Sequence, residues 1–283
     1  MNSDKLNSII KKRANVSNDL SLHLHQMFFF EHVLMRLELS KYRDNIILKG
    51  GVLLSSIIGN DMRTTKDIDA TLKSIPLNII SIRNIFDEIL SIKIDDGVSF
   101  RIESIKDIRL EDEYSGFRLN IFATFDKLKT NFFLEVTTGD VITPREIKYK
   151  YKSIFTDKEI DIMAYTIETI ISEKFHSIIT KNVTTTRSKD FYDLYMLMIK
   201  NNYEINNFNL VKAIKNTFAR RDTKFDIVYF NEVVKVIENS QILESNFNQY
   251  RKKLQYAKVV NYQDTMEAIK KIIYILEKEM MVV

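Results

Sequence analysis

Two hydrophobic periods divide the chain. From Leu20 to Leu39 the apolar positions Leu20, Leu24, Met27, Phe28, Val33, Leu34 and Leu37 recur at three- and four-residue steps, so residues 1 to about 44 read as helical. The unbroken run Ile46-Ile47-Leu48 then stops at Lys49-Gly50-Gly51, the pattern of a buried strand entering a tight turn. Val52–Ile58 predicts a short helix ended by Gly59, and the period changes to two where Ile68, Ala70 and Leu72 alternate with Asp67, Asp69 and Thr71. A helix over Ile79–Leu90 precedes strands around Ser99–Ile105, Arg118–Thr124 and Asn131–Val136, with Gly97, Gly116 and Gly139 at their boundaries. Pro144 and the basic stretch Arg145–Lys152 read as a loop, and beyond them the period is helical almost to Val283. A mixed first half and an all-helical second half predict two domains, residues 1–150 and 151–283.

Composition narrows the class. The 283 residues are 45% hydrophobic and 28% charged, which excludes collagen-like, low-complexity and intrinsically disordered chains. Cysteine is absent, so neither a disulfide framework nor a thiolate metal site can form. His23, His25 and His32 are crowded near the start, but their spacing matches no closed zinc set and their surroundings are apolar; a structural role is expected. The apolar run Met27–Phe30 ends at Glu31, far short of the roughly 20 residues that span a bilayer, so a cytoplasmic protein without a membrane partner is expected. A net charge of +4 is too mild to establish a polyanionic partner. Only 6 glycines occur where average usage gives roughly 20, yet Gly50 and Gly51 are adjacent. That pair marks a backbone that needs glycine.

Three constellations carry chemistry. On a strand Asp67 and Asp69 project from one face while Ile68 turns inward. Two parallel carboxylates repel unless a cation lies between them, and oxygen ligands favour Mg²⁺ or Mn²⁺. Gly50-Gly51 ahead of a helix offers unpaired amides to phosphate. The alternative is a solvated strand end. Neither Gly-x-Gly-x-x-Gly nor the P-loop pattern is present. Next, Lys174 falls within the apolar stripe Ile167, Ile170, Ile171, Phe175 and Ile178, where it must snorkel or meet an anion such as a triphosphate held between two domains. Last, in Arg187-Ser188-Lys189-Asp190-Phe191-Tyr192-Asp193 the spacing predicts Ser188 as a helix cap and Asp190 in the first turn, while Asp193 is left unexplained and is the better candidate for chemistry. The basic clusters Arg220-Arg221 and Arg251-Lys252-Lys253 read as solvated faces.

In this order the pieces resemble the AbiEii/AbiGii-type nucleotidyltransferase toxins of bacterial abortive-infection systems, within the DNA polymerase β-like superfamily. The matching residues are Leu48–Gly51, Arg63–Asp69, Phe132–Pro144, Glu173-Lys174 and Arg187–Tyr195, about residues 45 to 200; Val52 stands where the family often has Thr or Ser. The resemblance implies an α+β fold, a nucleotidyltransferase-type mixed sheet with flanking helices followed by a helical domain that closes the nucleotide cleft. It further implies a third metal carboxylate, Glu135 first and Asp140 second, joining Asp67 and Asp69. Gly50, Gly51, Arg63, Lys174 and Lys189 would bind nucleotide, and Asp190 and Asp193 would complete or orient the site. The implied reaction is transfer from an NTP, with a preference for GTP, to the 3′ end of tRNA. Its implied partner is the antitoxin AbiEi, without a stable complex; DNA is not expected. The residues themselves leave open transfer to a protein hydroxyl or an aminoglycoside, and a non-catalytic nucleotide- or RNA-binding regulator.

Overall fold

Residues 2–14, 18–61, 63–110, 114–200 and 203–281 are described by a computed structural model. Two compact units divide the chain: Met1–Asp140 with Glu146–Ala164, and Val141–Arg145 with Tyr165–Val283.

The first unit opens with helices α1 (Ser3–Ala14) and α2 (Asn18–Leu39), then β1 (Ile46–Lys49), α3 (Gly50–Ile58), β2 (Asp67–Leu72) and α4 (Ile79–Leu90). Three long strands follow, β3 (Val98–Leu110), β4 (Tyr114–Phe125) and β5 (Leu128–Thr138), and two short ones, β6 (Ile147–Lys152) and β7 (Glu159–Ala164). Among the described residues they form one seven-stranded sheet in the order β3-β4-β5-β2-β1-β7-β6. It is mixed: β2 runs parallel to β5 and β1 parallel to β7, while the neighbouring pairs are antiparallel.

Alternation sorts the two faces. Ile68, Ala70, Ile46, Leu48 and Leu134 turn to one side, where Val33, Leu34 and Leu37 of α2 and Phe86 and Ile89 of α4 close over them. Burying each such side chain stabilises by roughly 1.5–3 kcal/mol. Their neighbours Asp67, Asp69 and Glu135 are left on the opposite face. Around Met27–Leu34 helix α2 is buried on every side, not along one stripe. Its polar members are satisfied there: Glu31 accepts from the Tyr151 hydroxyl (3.3 Å), the Ser153 hydroxyl (2.6 Å) and the Ile154 amide (2.6 Å), and His32 Nδ1 donates to the Phe28 carbonyl (2.7 Å).

The stretch expected as a basic loop is strand β6. Its alternation is a strand's, with Lys148, Lys150 and Lys152 exposed and Tyr151 buried between them. At a sheet edge such lysines oppose pairing with another chain, which explains a composition that imitates a loop.

The second unit is helical, whereas residues 151–164, read as the start of the helical half, hold the end of β6 and all of β7 in the first unit. The elements of the second unit are α5 (Ile167–Lys181), α6 (Ser188–Tyr195) continuing into a π-helical turn Met196–Lys200, then α7 (Asn207–Arg220), α8 (Ile227–Glu238), α9 (Gln241–Lys253) and α10 (Tyr262–Met281). Side-chain caps start α5 (Thr166), α7 (Asn206) and α8 (Asp226). Phe175, Phe218 and Phe230 pack ring on ring at its centre, Phe218 and Phe230 4.8 Å apart. Residues 141–145 join this unit because Thr143 bonds Thr166, Thr169 and Asn216. No helix among the described residues is long and apolar enough to cross a membrane.

Candidate functional site

The chain leaves β1 and enters α3 through Gly50 and Gly51. Gly50 has φ +61°, and a Cβ there would stand 1.9 Å from Asp69 Oδ2 and 2.7 Å from Asp69 Cβ. At Gly51 a Cβ would stand 2.0 Å from Thr65 Oγ1. The glycine pair is therefore required by close approach: the turn lies directly against the second acid. The Gly51 amide donates to Asp69 Oδ2 at 3.2 Å, so the helix terminus expected to face phosphate faces this carboxylate. Arg63 lies beneath the same turn, 4% exposed, its guanidinium donating to the Thr64 carbonyl while its own carbonyl accepts from Ser55. Asp67 and Asp69 themselves are half-buried.

Register brings the next groups to the same face. Asp69 pairs with Lys49 on β1 and with Glu135 on β5, and Asp67 pairs with Phe133. Glu135 is thus beside Asp69, but its Oε1 accepts from Arg118 Nε at 2.7 Å. Asp140 is enclosed instead: its Oδ2 accepts from Lys49 Nζ (2.6 Å), Thr71 Oγ1 (2.6 Å) and Thr137 Oγ1 (3.1 Å). The two candidates for a third carboxylate therefore have different surroundings. Asp140 is committed to an ammonium and two hydroxyls on the same face, whereas Glu135 lies directly beside Asp69 and meets Arg118. The Asp67–Asp69 pair fits a hard divalent cation by its oxygen donors and by a glycine turn that keeps their face clear of Cβ atoms. Among the described residues no three His, Asp or Glu side chains converge to hold a metal ion.

In the second unit Lys174 neither snorkels nor waits for an anion. Its Nζ bridges Asp190 Oδ1 (2.8 Å) and Asp193 Oδ2 (2.7 Å), and Arg187 Nε meets Asp190 Oδ2 at 2.9 Å. Both carboxylates are almost wholly buried, 1% and 0% exposed, while the lysine keeps 12%. Helix α6 begins at Ser188 itself, with Arg187 in the cap position and no side-chain cap bond. The expected Ser188 cap is not formed, and Asp190 turns to cations. Lys189 is exposed.

The histidines are structural and do not converge. His23 Nδ1 lies 3.2 Å from the Thr65 carbonyl, His25 bonds Ser21 and Asn7, and His32 bonds Phe28. Burial, reinforced by Arg63, pulls His23 down to about 4, so the ring beside the acid-bearing turn is neutral at physiological pH. Burial also pushes Glu31 up to about 7, against the bonds donated by Ile154, Ser153 and Tyr151. Sequence reasoning gave no role to Lys49, Thr71, Thr137 or Arg118. The signal was available, since Thr71 and Thr137 hold the alternate positions after Asp69 and Glu135.

The family model of the nucleotidyl transferase AbiEii toxin of type IV toxin–antitoxin systems matches residues 32–268. No curated protein matches the chain. Among solved structures, JHP933 from Helicobacter pylori is similar at 16% identity and a TM-score of 0.50, over 92% of this chain and 96% of that one. A second H. pylori protein, described as a candidate nucleotidyltransferase, is 16% identical with a TM-score of 0.49, over 91% and 97%. At such identity the first likeness speaks for the fold alone, a mixed sheet with flanking helices and a helical C-terminal region.

Proposed function

The chain belongs to the AbiEii family of nucleotidyl transferase toxins of type IV toxin–antitoxin systems, and from that premise we propose that it transfers nucleotides from an NTP, GTP by preference, to the 3′-hydroxyl of an RNA, most directly tRNA. The observation that carries this reading is the pair Asp67 and Asp69, two apart on one sheet face and packed on a glycine turn that admits no side chain. Asp67 and Asp69 would hold Mg²⁺ or Mn²⁺, with Glu135 as third ligand once it leaves Arg118. The cation supplies neutralisation of the triphosphate and acidity at the attacking hydroxyl. The hydroxyl oxygen bonds to the α-phosphorus as the bond to the β-phosphate oxygen breaks, releasing pyrophosphate.

The chain's own groups bind and orient. Gly50 and Gly51 let backbone approach the acids, and Arg63 braces that turn from below. Lys189 contacts phosphate, while Lys174 holds Asp190 and Asp193 in place through its shared ion pairs. The toxin's action is countered by the antitoxin AbiEi without a lasting complex between the two. The protein works in the cytoplasm.

Incubation with total RNA, an aminoglycoside panel and each α-labelled NTP tests the reading. Label on tRNA is expected, and D67N/D69N should abolish both label and growth arrest while the fold persists. Full toxicity in that double variant would sink the metal-dependent enzyme. Label on protein or antibiotic would select another acceptor, and NTP binding without transfer would make the protein a regulator.

A further inference from the structure

Strands β3, β4 and β5 carry an outward face that continues, row by row, from the acids. Asp67 pairs with Phe133, which pairs with Asn120 on β4; one row further Asn131 pairs with Phe122, which pairs with Arg101 on β3. Phe133 is 41% exposed although it belongs to a sheet. Each ring is overlaid by a guanidinium: Arg101 lies 5.1 Å from the Phe122 centroid and Arg118 5.4 Å from that of Phe133. Phe122 and Phe133 are diagonal neighbours on adjacent strands, roughly 7–8 Å apart by sheet geometry, a separation that suits two successive bases. Arg118 is also paired directly across from Lys106, both exposed. Like charges in that position destabilise a sheet, so facing cations beside the exposed Phe133 and the half-buried Phe122 are a poor solution for stability and a good one for a polyanion. The acids on this surface, Glu103 and Glu135, are each held by an arginine, Arg101 and Arg118.

We propose that this face is a platform for single-stranded RNA, with bases stacked on Phe122 and Phe133 and phosphates met by Arg101, Lys106 and Arg118. The inference rests on the RNA-acceptor reading and adds where the strand lies: it runs across β4 and β5 towards Asp67. Stacking on an aromatic ring tolerates any base, so the platform holds the acceptor strand without reading its sequence.

Fluorescence anisotropy with a short fluorescein-labelled single-stranded RNA, compared with the same RNA in duplex, tests it. The wild-type protein should prefer the single strand. F122L/F133L, which keeps apolar area but removes the rings, should weaken single-strand binding roughly tenfold or more, and F122Y/F133Y should restore it. Melting temperature and NTP binding should be the same in all three proteins. Equal RNA affinity in the leucine and tyrosine variants would overturn the platform and leave the RNA-acceptor reading intact. If the wild-type protein binds no RNA and labels another acceptor, the platform falls together with that reading.

Discussion

Replacing Gly50 by alanine tests whether the glycine turn and the second acid form one device. Gly50 has φ +61°, which costs an L-residue about 1–2 kcal/mol. The new Cβ would also meet Asp69 at Oδ2, Cγ and Cβ, at 1.9, 2.6 and 2.7 Å. A carboxylate can rotate away, but Asp69 Cβ cannot, because β2 is paired on both sides at that residue, with Lys49 and with Glu135. Backbone must therefore shift, an overpacking cost of about 1–3 kcal/mol. The Gly51 amide bond to Asp69, a charge-assisted contact of about 1.5–3 kcal/mol, is lost as well. Together these reach about 3.5 kcal/mol at the low end, a large part of a typical domain's stability. Gly97 is the control. Its φ is +73°, but its Cβ would meet nothing closer than Phe125 at 3.5 Å. Urea unfolding followed by circular dichroism should show G97A paying only the backbone term while G50A loses several kcal/mol and nucleotide transfer. Equal destabilisation by the two substitutions would refute the argument, because the contact with Asp69 would then contribute nothing.

Two further outcomes follow from buried charge. K174M leaves Asp190 and Asp193 buried without their shared cation, which should destabilise the second unit by about 3–5 kcal/mol. Activity lost in K174M must therefore be compared with its unfolding midpoint, and an unchanged midpoint would contradict the observed ion cluster. Glu31 concerns pH. Its folded-state value is raised by burial to about 7 from 4.5, so its stabilising contribution is complete below about 4.5 and is lost as pH rises through 7, on the order of 3 kcal/mol in all. E31Q should flatten the decline of the urea midpoint between pH 5 and pH 8 (roughly the span of that titration), and parallel profiles for the two proteins would count against it.

Much of this was legible because the acids lie on a strand of clean period two: Ile68, Ala70 and Leu72 inward fixed Asp67 and Asp69 outward. The glycine pair was legible through scarcity. What it does was not, since the approach of Asp69 depends on the register of β1 against β2, which no local pattern encodes. The buried lysine was flagged by its place among Ile170, Ile171 and Ile178, but its partners come from a helix fourteen or more residues later. By spacing alone Asp190 reads as a first-turn acid and Asp193 as an unexplained one, and neither reading shows the lysine they share. Strand β6 was hidden because edge lysines look like loop composition, whereas β7 carries no lysine and its alternating Ile160, Ile162 and Ala164 fell within a stretch read as helical. The platform rings Phe122 and Phe133 have no signal of their own, for which face a phenylalanine takes is decided by pairing across β4 and β5.

The sheet order carries a consequence for synthesis. Strand β1 is completed on one side by β2 almost at once, but on the other only by β7, with Ile47 beside Met163. Roughly a hundred residues must leave the ribosome between those two partners, several seconds at ordinary elongation rates. Throughout that interval the nascent chain holds an unpaired β1 edge beside an already formed β2, a surface that other strands can join. A chain cut short before Ala164 would keep that edge permanently, so fragments of this protein that stop within the sheet should collect in inclusion bodies even though both acids and both glycines are present.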